Sequence, residues 1–405
     1  MSDDTPRGPR RLSFRPKADS LQDVFRLVKR LERERAEAKE AVDRLLATTP
    51  RDRWPELSTH PDLLTSGALE RLGNLFAEWL GKDPVHALEI AELAVSVAEA
   101  LPEAAYPAPI TVQCRAHAWK DLGKAYRAVN RYQESIDALT RAGDSIRDSG
   151  ALAHDRAIVS FDLGITLQEV GRYDESLQCL GEAKEIFRIH SDTRRLVYCG
   201  IAEGVLHQRL RHFREAREIY LLLLASTKDM ELESLAAIHQ AIGFCSLELR
   251  DFAAAEANLE EAAALNRRLG KPVEVLKIEL GRGRLLVRRG DAMLAVFHLG
   301  PIRRRFLALS MPEEAGLCGL DLVEALLSLS RFTDAEVLAK TLVREFTAAH
   351  LNTRAITALG YLTEAIGSRK ASTRLVTDIR EYIVSLRTEP ERDFQFILPT
   401  DGSGS

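Results

Sequence analysis

Residues 119–142 read WKDLGKAYRAVNRYQESIDALTRA, and their spacing decides the fold. Trp119, Leu122, Gly123 and Tyr126 recur at offsets of three and four, which places them on one face of a helix. Asn130-Arg131 breaks the pattern and Tyr132 restarts it. Ser135, Leu139 and Ala142 then form a second stripe at helical spacing. The stretch therefore predicts a helix, a tight turn and an antiparallel helix. Gly123 and Ser135 stand where the two backbones come close, because a larger side chain would wedge the helices apart.

The same signals recur down the chain. They fall at Asn130-Arg131-Tyr132, Gly171-Arg172-Tyr173, Arg211-His212-Phe213, Arg250-Asp251-Phe252, Gly290-Asp291-Ala292 and Ser330-Arg331-Phe332, at intervals of 41, 40, 39, 40 and 40 residues. Three residues after each aromatic, or the alanine in its place, comes a small residue: Ser135, Ser176, Ala216, Ala255, Ala295 and Ala335. The first-helix glycine recurs as Gly123, Gly164, Gly204, Gly243 and Gly283, with Val323 in the sixth unit. Six concordant units predict a repeat array.

The run W-x2-L-G-x2-Y, with a small residue nine positions after the Tyr, resembles a tetratricopeptide (TPR) repeat. The resemblance implies an all-α fold, an α-solenoid of antiparallel helix pairs in a right-handed superhelix. The period of about 40 exceeds the family's 34. The extra residues fall between one unit's second helix and the next unit's first, which predicts longer second helices or longer loops.

Outside the regular units, residues 1–18 are polar and proline-containing and are expected to be disordered. Residues 19–67 read as a cap: a helix from Ser20, with an S-x-x-D box to Asp23, then a loop that Trp54 anchors. Leu21, Val24, Phe25, Val28 and Leu31 give that helix an apolar stripe, suited to covering the array's end or to a short coiled-coil arm. The array is expected over 68–388, as about seven to eight helix pairs. Its divergent first pair has Asp83 as cap and Pro84 in the first turn. A seventh regular pair, Thr353 to Gly367 and Thr373 to Leu386, is expected to close it. Arg374, Asp378, Arg380 and Glu381 interrupt the last stripe, as a solvent-facing cap requires. Residues 389–405 form a tail, with DFQFILP alternating in polarity and the final GSGS resembling a cloning scar.

The net charge of −4 and pI near 6.3 weigh against a globally basic nucleic-acid binder. No run of apolar residues is long enough to cross a membrane, and the N-terminus does not read as a secretory signal. Five scattered cysteines read as reduced, mostly buried thiols, which suits a cytoplasmic bacterial protein. No phosphate-binding loop, zinc motif or nucleophile elbow is present. Cys114 with His117, and His207 with His212, lack a third member, so no catalytic, cofactor or metal residue is assigned.

In the TPR family, first helices line the concave face and ligands usually lie there. Carried over by register from the glycines, that resemblance implies a groove lined by Lys120, Lys124 and Arg127, then Ile158, Phe161, Ile165 and Gln168. Tyr198, Ile201, Val205 and Gln208, then Gln240, Phe244 and Leu247, and then Lys277, Arg284 and Arg288 follow. Such a groove has an apolar middle and basic ends, which fits an amphipathic or acidic protein segment. The alternative is that the longer period shifts the register and these residues are ordinary core. No Asn stands at these positions, so the carboxylate clamp of peptide-binding TPR domains is not expected. Between Arg267 and Arg305, eleven Lys or Arg face three acids, with Arg303, Arg304 and Arg305 the densest part. The patch reads as a docking surface for acidic protein, as one for nucleic acid, against which the lack of interleaved aromatics weighs, or as a solvated face balanced by neighbouring units.

The expected function is a non-enzymatic scaffold that binds a partner protein segment in its groove, as adaptor, sequestering inhibitor or regulatory subunit. The other reading is a peptide- or small-ligand-responsive regulator resembling quorum-peptide receptors, although no helix-turn-helix domain precedes the array. No cofactor is expected, and self-association through the N-terminal helix is the one oligomer the sequence suggests.

Overall fold

The computed structural model describes residues 18–147, 149–226, 230–349, 351–386 and 392–393. Among them it contains seventeen α-helices, three 3-10 segments and no strand. Consecutive helices pack on one another over residues 18–145 and again over residues 173–385, and the chain is an all-α helical-repeat solenoid, as the spacing predicts. It divides into two compact units, and the division falls within the sixth helix, between Leu163 and Gly164. The expected disordered tail lies outside the described residues apart from Ala18. So does the C-terminal tail apart from Arg392 and Asp393.

The first unit holds α1 (Ala18–Thr48), α2 (Ser66–Leu80), α3 (Pro84–Ala100), α4 (Ala108–Ala128), α5 (Tyr132–Ser145) and the start of α6 (Ala153–Glu169). Helix α1 is already formed at Ala18, ahead of the expected Ser20 cap. Its buried apolar residues are Ala38 and Val42, and Leu27 and Leu31 pack half-buried against the same core. Val24, Phe25 and Val28 are exposed, Phe25 at 66%. Trp54 is buried and donates from Nε1 to the Thr49 carbonyl (3.1 Å). Asp83 caps α3 by accepting from the His86 amide (3.1 Å).

A buried carboxylate ties α1 to the rest of this unit. Glu34, 8% exposed, accepts from Arg30 Nε (2.7 Å), Ser66 Oγ (3.0 Å) and Tyr106 Oη. Burial pushes its pKa up, but the hydrogen bonds from Tyr106, Arg30 and Ser66 outweigh that and hold it below the usual carboxylate value. A lowered folded-state pKa contributes stability above the unfolded value and loses it as pH falls through the folded one. Glu34→Gln should therefore cost about 2 kcal/mol at pH 7. The gap to wild type should close below about pH 4. Urea midpoints across a pH series check this, and a gap independent of pH would refute it.

The second unit holds the rest of α6, then α7 (Tyr173–Ile189), α8 (Thr193–Arg209), α9 (Phe213–Ser226), α10 (Leu232–Glu248) and α11 (Phe252–Arg268). It continues through α12 (Pro272–Arg289), α13 (Ala292–Ala308), α14 (Pro312–Ser328), α15 (Phe332–Ala348), α16 (Thr353–Gly367) and α17 (Thr373–Ser385). The forty-residue period has a simple basis in α13 to α15: helices of 17 residues joined by three-residue turns. Each turn is a left-handed helix stop. Asn130, Gly171, Arg211, Arg250, Gly290 and Ser330 all have positive φ. The following amide reaches back five residues, as from Arg331 to the Leu326 carbonyl (2.9 Å). The same stop joins units, at Ser191, Gly270 and Ser310.

The recurring glycine answers to one large side chain sixteen residues on. A Cβ at Gly204 would lie 2.4 Å from the Tyr220 ring, and one at Gly283 would lie 2.1 Å from Leu299 Cδ2. In the sixth unit the two sizes are exchanged: Val323 takes the glycine position and Ala339 the large one, both fully buried. Ser176, in the small position of α7, donates its hydroxyl to the Gly164 carbonyl (2.8 Å), so the extra polar group is satisfied.

Candidate functional site

Within the second unit, the first helices α8, α10, α12 and α14 pack side by side. Polar side chains fasten each to the next. Gln168 donates to the Ala202 carbonyl (3.0 Å), and Gln208 donates to the Ala241 carbonyl (3.3 Å). In the first unit Arg127 does the same, donating to the Asp162 carbonyl (2.9 Å) and carboxylate (3.2 Å). These groups serve inter-helix packing. Gln168 and Leu247, expected on the groove face, are buried.

The other expected groove residues are half-buried. In the first unit these are Lys120, Lys124, Ile158 and Phe161, with Lys120 paired to Asp121 (3.2 Å). In the second unit they are Ile165, Tyr198, Ile201, Val205, Gln240, Phe244, Lys277, Arg284 and Arg288. Ile201 rests on the core around Tyr220. Phe244 rests on the core around Leu259 and fills the space beside Gly281. Lys277 pairs with Glu274 (3.0 Å), whereas Arg288 has no ion pair among the described residues. In the second unit the most exposed apolar groups lie on second helices: Ile189 on α7, Leu222 on α9, Met293, Leu294 and Phe297 on α13, with Phe297 82% exposed, and Val337 on α15. Sequence periodicity gave no hint of those on α13, since that helix carries an apolar residue on nearly every side.

Most of the basic stretch is neutralised by acids from neighbouring helices. Arg267, Lys271, Lys277, Arg282, Arg284, Arg289 and Arg303 all form ion pairs, with Glu233, Glu256, Glu260 and Glu345 among their partners. Arg303 turns inward, its side chain 12% exposed, and pairs with Glu345. Only Arg304 and Arg305 of the triplet face solvent.

The strongest charge cluster lies deeper and joins helices far apart in sequence. Asp321 on α14 is fully buried. Arg284 of α12 holds it through Nη2 (3.1 Å) and Nε (3.3 Å). Arg380 of α17 places Nε 2.9 Å from the same carboxylate and pairs also with Glu324. Burial works against the Arg284 charge, but Asp321 more than offsets it, so its pKa is raised above the ordinary arginine value. This corrects the expectation that α17 shows Arg380 to solvent: the guanidinium is buried because α14 supplies two carboxylates for it. Helix α17 lies against α14 as well as α16. Its Glu381 reaches Arg211, in the turn between α8 and α9, at 2.8 Å.

The thiols carry little nucleophilic character. Burial pushes Cys114 up to about 11 and Cys318 up to about 12, so both are protonated at neutral pH. His117 is engaged by Asp155 (2.7 Å). Among the described residues no group of three His, Cys, Asp or Glu is arranged to hold a metal ion. No helix among them is long and apolar enough to cross a membrane.

No family model and no curated protein matches the chain. Solved structures do. The apo form of RapI is 13% identical, with a TM-score of 0.53, covering 88% of this chain and 98% of that one. The apo quorum sensor NprR from B. thuringiensis is 12% identical, with a TM-score of 0.51, covering 81% and 100%. A signal-transduction ATPase with a tetratricopeptide repeat sensor, from Pyrococcus horikoshii, is 13% identical with a TM-score of 0.56. That match covers 88% of this chain and 53% of that one. With its helix pairs, recurring close glycines and these neighbours, the chain has the fold of a TPR-like helical-repeat protein.

Proposed function

We propose that this protein is an interaction scaffold whose second unit binds a segment of a partner protein on the row of first helices, and that it works as an adaptor or regulatory subunit. The observation that carries this reading is α17: a helix of the chain itself already lies on α14, at the end of that row. The rest of the row carries Ile201, Val205 and Phe244 half-buried, and on α12 it carries Arg288, which has no ion pair among the described residues. A partner helix can bury the apolar groups and place an acidic side chain on the arginine. A second reading, a peptide-responsive regulator, draws support from the likeness to the quorum sensor NprR along that chain's whole length. Both readings use the same face.

Val205→Asp and Arg288→Glu test it, with Phe297→Asp on α13 as control. Proteins cross-linked to the wild-type chain should be lost at least tenfold from the first two variants and kept by the third, with far-UV circular dichroism unchanged. The opposite pattern would move binding to the outer helices and overturn the proposal.

A further inference from the structure

The position of α17 sets it apart from a simple last helix. A second helix closing a pair packs on its own first helix; α17 also lies on α14, the first helix of the preceding unit. The consequence shows on α14, where every residue from Ala315 to Leu327 is buried. A first helix with an open groove face is not buried all round. Glu324 follows the glycine-equivalent Val323 as Arg284 follows Gly283 and Phe244 follows Gly243. It therefore stands in the groove register, and Arg380 of α17 covers it. The contact between Glu381 and Arg211 carries α17 back towards the α8–α9 turn. Val376, Ile379, Arg380 and Ile383 form a buried stripe at helical spacing, with Tyr382 buried beside it.

From this placement we infer that α17 is an internal occupant of the binding face, and that the partner is an amphipathic helix whose arginine replaces Arg380 on Asp321 and Glu324. This rests on the scaffold reading above and supplies its ligand chemistry. With α17 gone, Arg284 is the one cation among the described residues that pairs with Asp321, and the two carboxylates are left one positive charge short. A net negative site that a docking helix buries selects a cation, and a guanidinium meets two carboxylates better than an ammonium does. Aliphatic residues four and one before the arginine, and three after it, complete the match with Val376, Ile379 and Ile383. Binding proceeds by exchange of one helix for another, so the affinity of the partner is reduced by the affinity of α17 for its own site.

The probe is a fluorescein-labelled peptide of residues 372–386, read by anisotropy against the full chain. It should bind the Arg380→Ala chain at least tenfold tighter than wild type, and the same peptide carrying Arg380→Ala should lose that gain. Glu381→Arg, which opposes Arg211 at an exposed pair, should raise peptide affinity about twofold to fivefold with helicity intact. Equal peptide binding by all chains, or none by either variant, would overturn the exchange, and Glu381→Arg decides the matter if Arg380→Ala unfolds. The two proposals separate cleanly. Failed exchange with partner capture still sensitive to Val205→Asp removes only the exchange. Successful exchange with capture indifferent to Val205→Asp removes the scaffold reading as stated.

Discussion

Gly283→Val should cost about 3 kcal/mol, at the upper end of what overpacking exacts, and Leu299→Ala in the same chain should restore most of it. At Gly283 even a Cβ would stand 2.1 Å from Leu299 Cδ2 and 2.6 Å from Cγ, and valine adds two methyl groups beyond that. Leu299 is fully buried and has nowhere to go. Leu299→Ala alone should also destabilise, by about 2–4 kcal/mol, because it leaves a cavity. The double variant places valine and alanine where the sixth unit already has Val323 and Ala339, so the arrangement is one this backbone accepts. The coupling between the two sites should reach about 2 kcal/mol or more. Urea unfolding of the four chains measures it. If the double variant is no better than Gly283→Val, volume at this crossing is not what the glycine serves.

That position was legible because its cause is local. A close helix crossing and a left-handed turn each demand particular residues at fixed offsets, and a forty-residue period repeats the demand. The helix pairs follow from those two constraints. Gly67 has the same cause without the repetition: a Cβ there would lie 2.5 Å from the Glu34 backbone, where α2 crosses α1, yet a single glycine carries no spacing to read. The site was legible only in register. Periodicity places Val205, Phe244 and Arg284 at equivalent positions, but whether such a side chain meets solvent or the next helix depends on its neighbour. Arg284 meets Asp321, and Gln168 meets the Ala202 carbonyl. Helix α17 was the least legible, because Arg380 finds Glu324 across 56 residues and Arg211 finds Glu381 across 170. Four charges on a short helix look like a solvated face until the two carboxylates that receive one of them are known.

Asp321→Asn should be the most damaging single change at the second unit's charge cluster, costing about 3–5 kcal/mol. The substitution keeps shape and removes only the charge. The half-buried Arg284 and the buried Arg380 are then left with Glu324, and with Glu248 near Arg284, as the anions that face them. Neither guanidinium can lose its proton to escape, since arginine stays charged at any accessible pH. Arg380 can leave if α17 undocks, but Arg284 cannot, because α12 is fixed between α11, α13 and α14. Arg380→Ala should be milder for the same reason: release of α17 returns Glu324 to water and leaves Asp321 paired with Arg284. Hydrogen exchange should therefore separate the two variants. Arg380→Ala should lose protection in α17 and on the face of α14 beneath it. Asp321→Asn should lose it also in α12, with an earlier unfolding of the whole second unit. A loss below about 1 kcal/mol for Asp321→Asn would mean that water already screens the cluster. In that case α17 is held by its apolar face alone, and the arginine would cease to define the helix that replaces it.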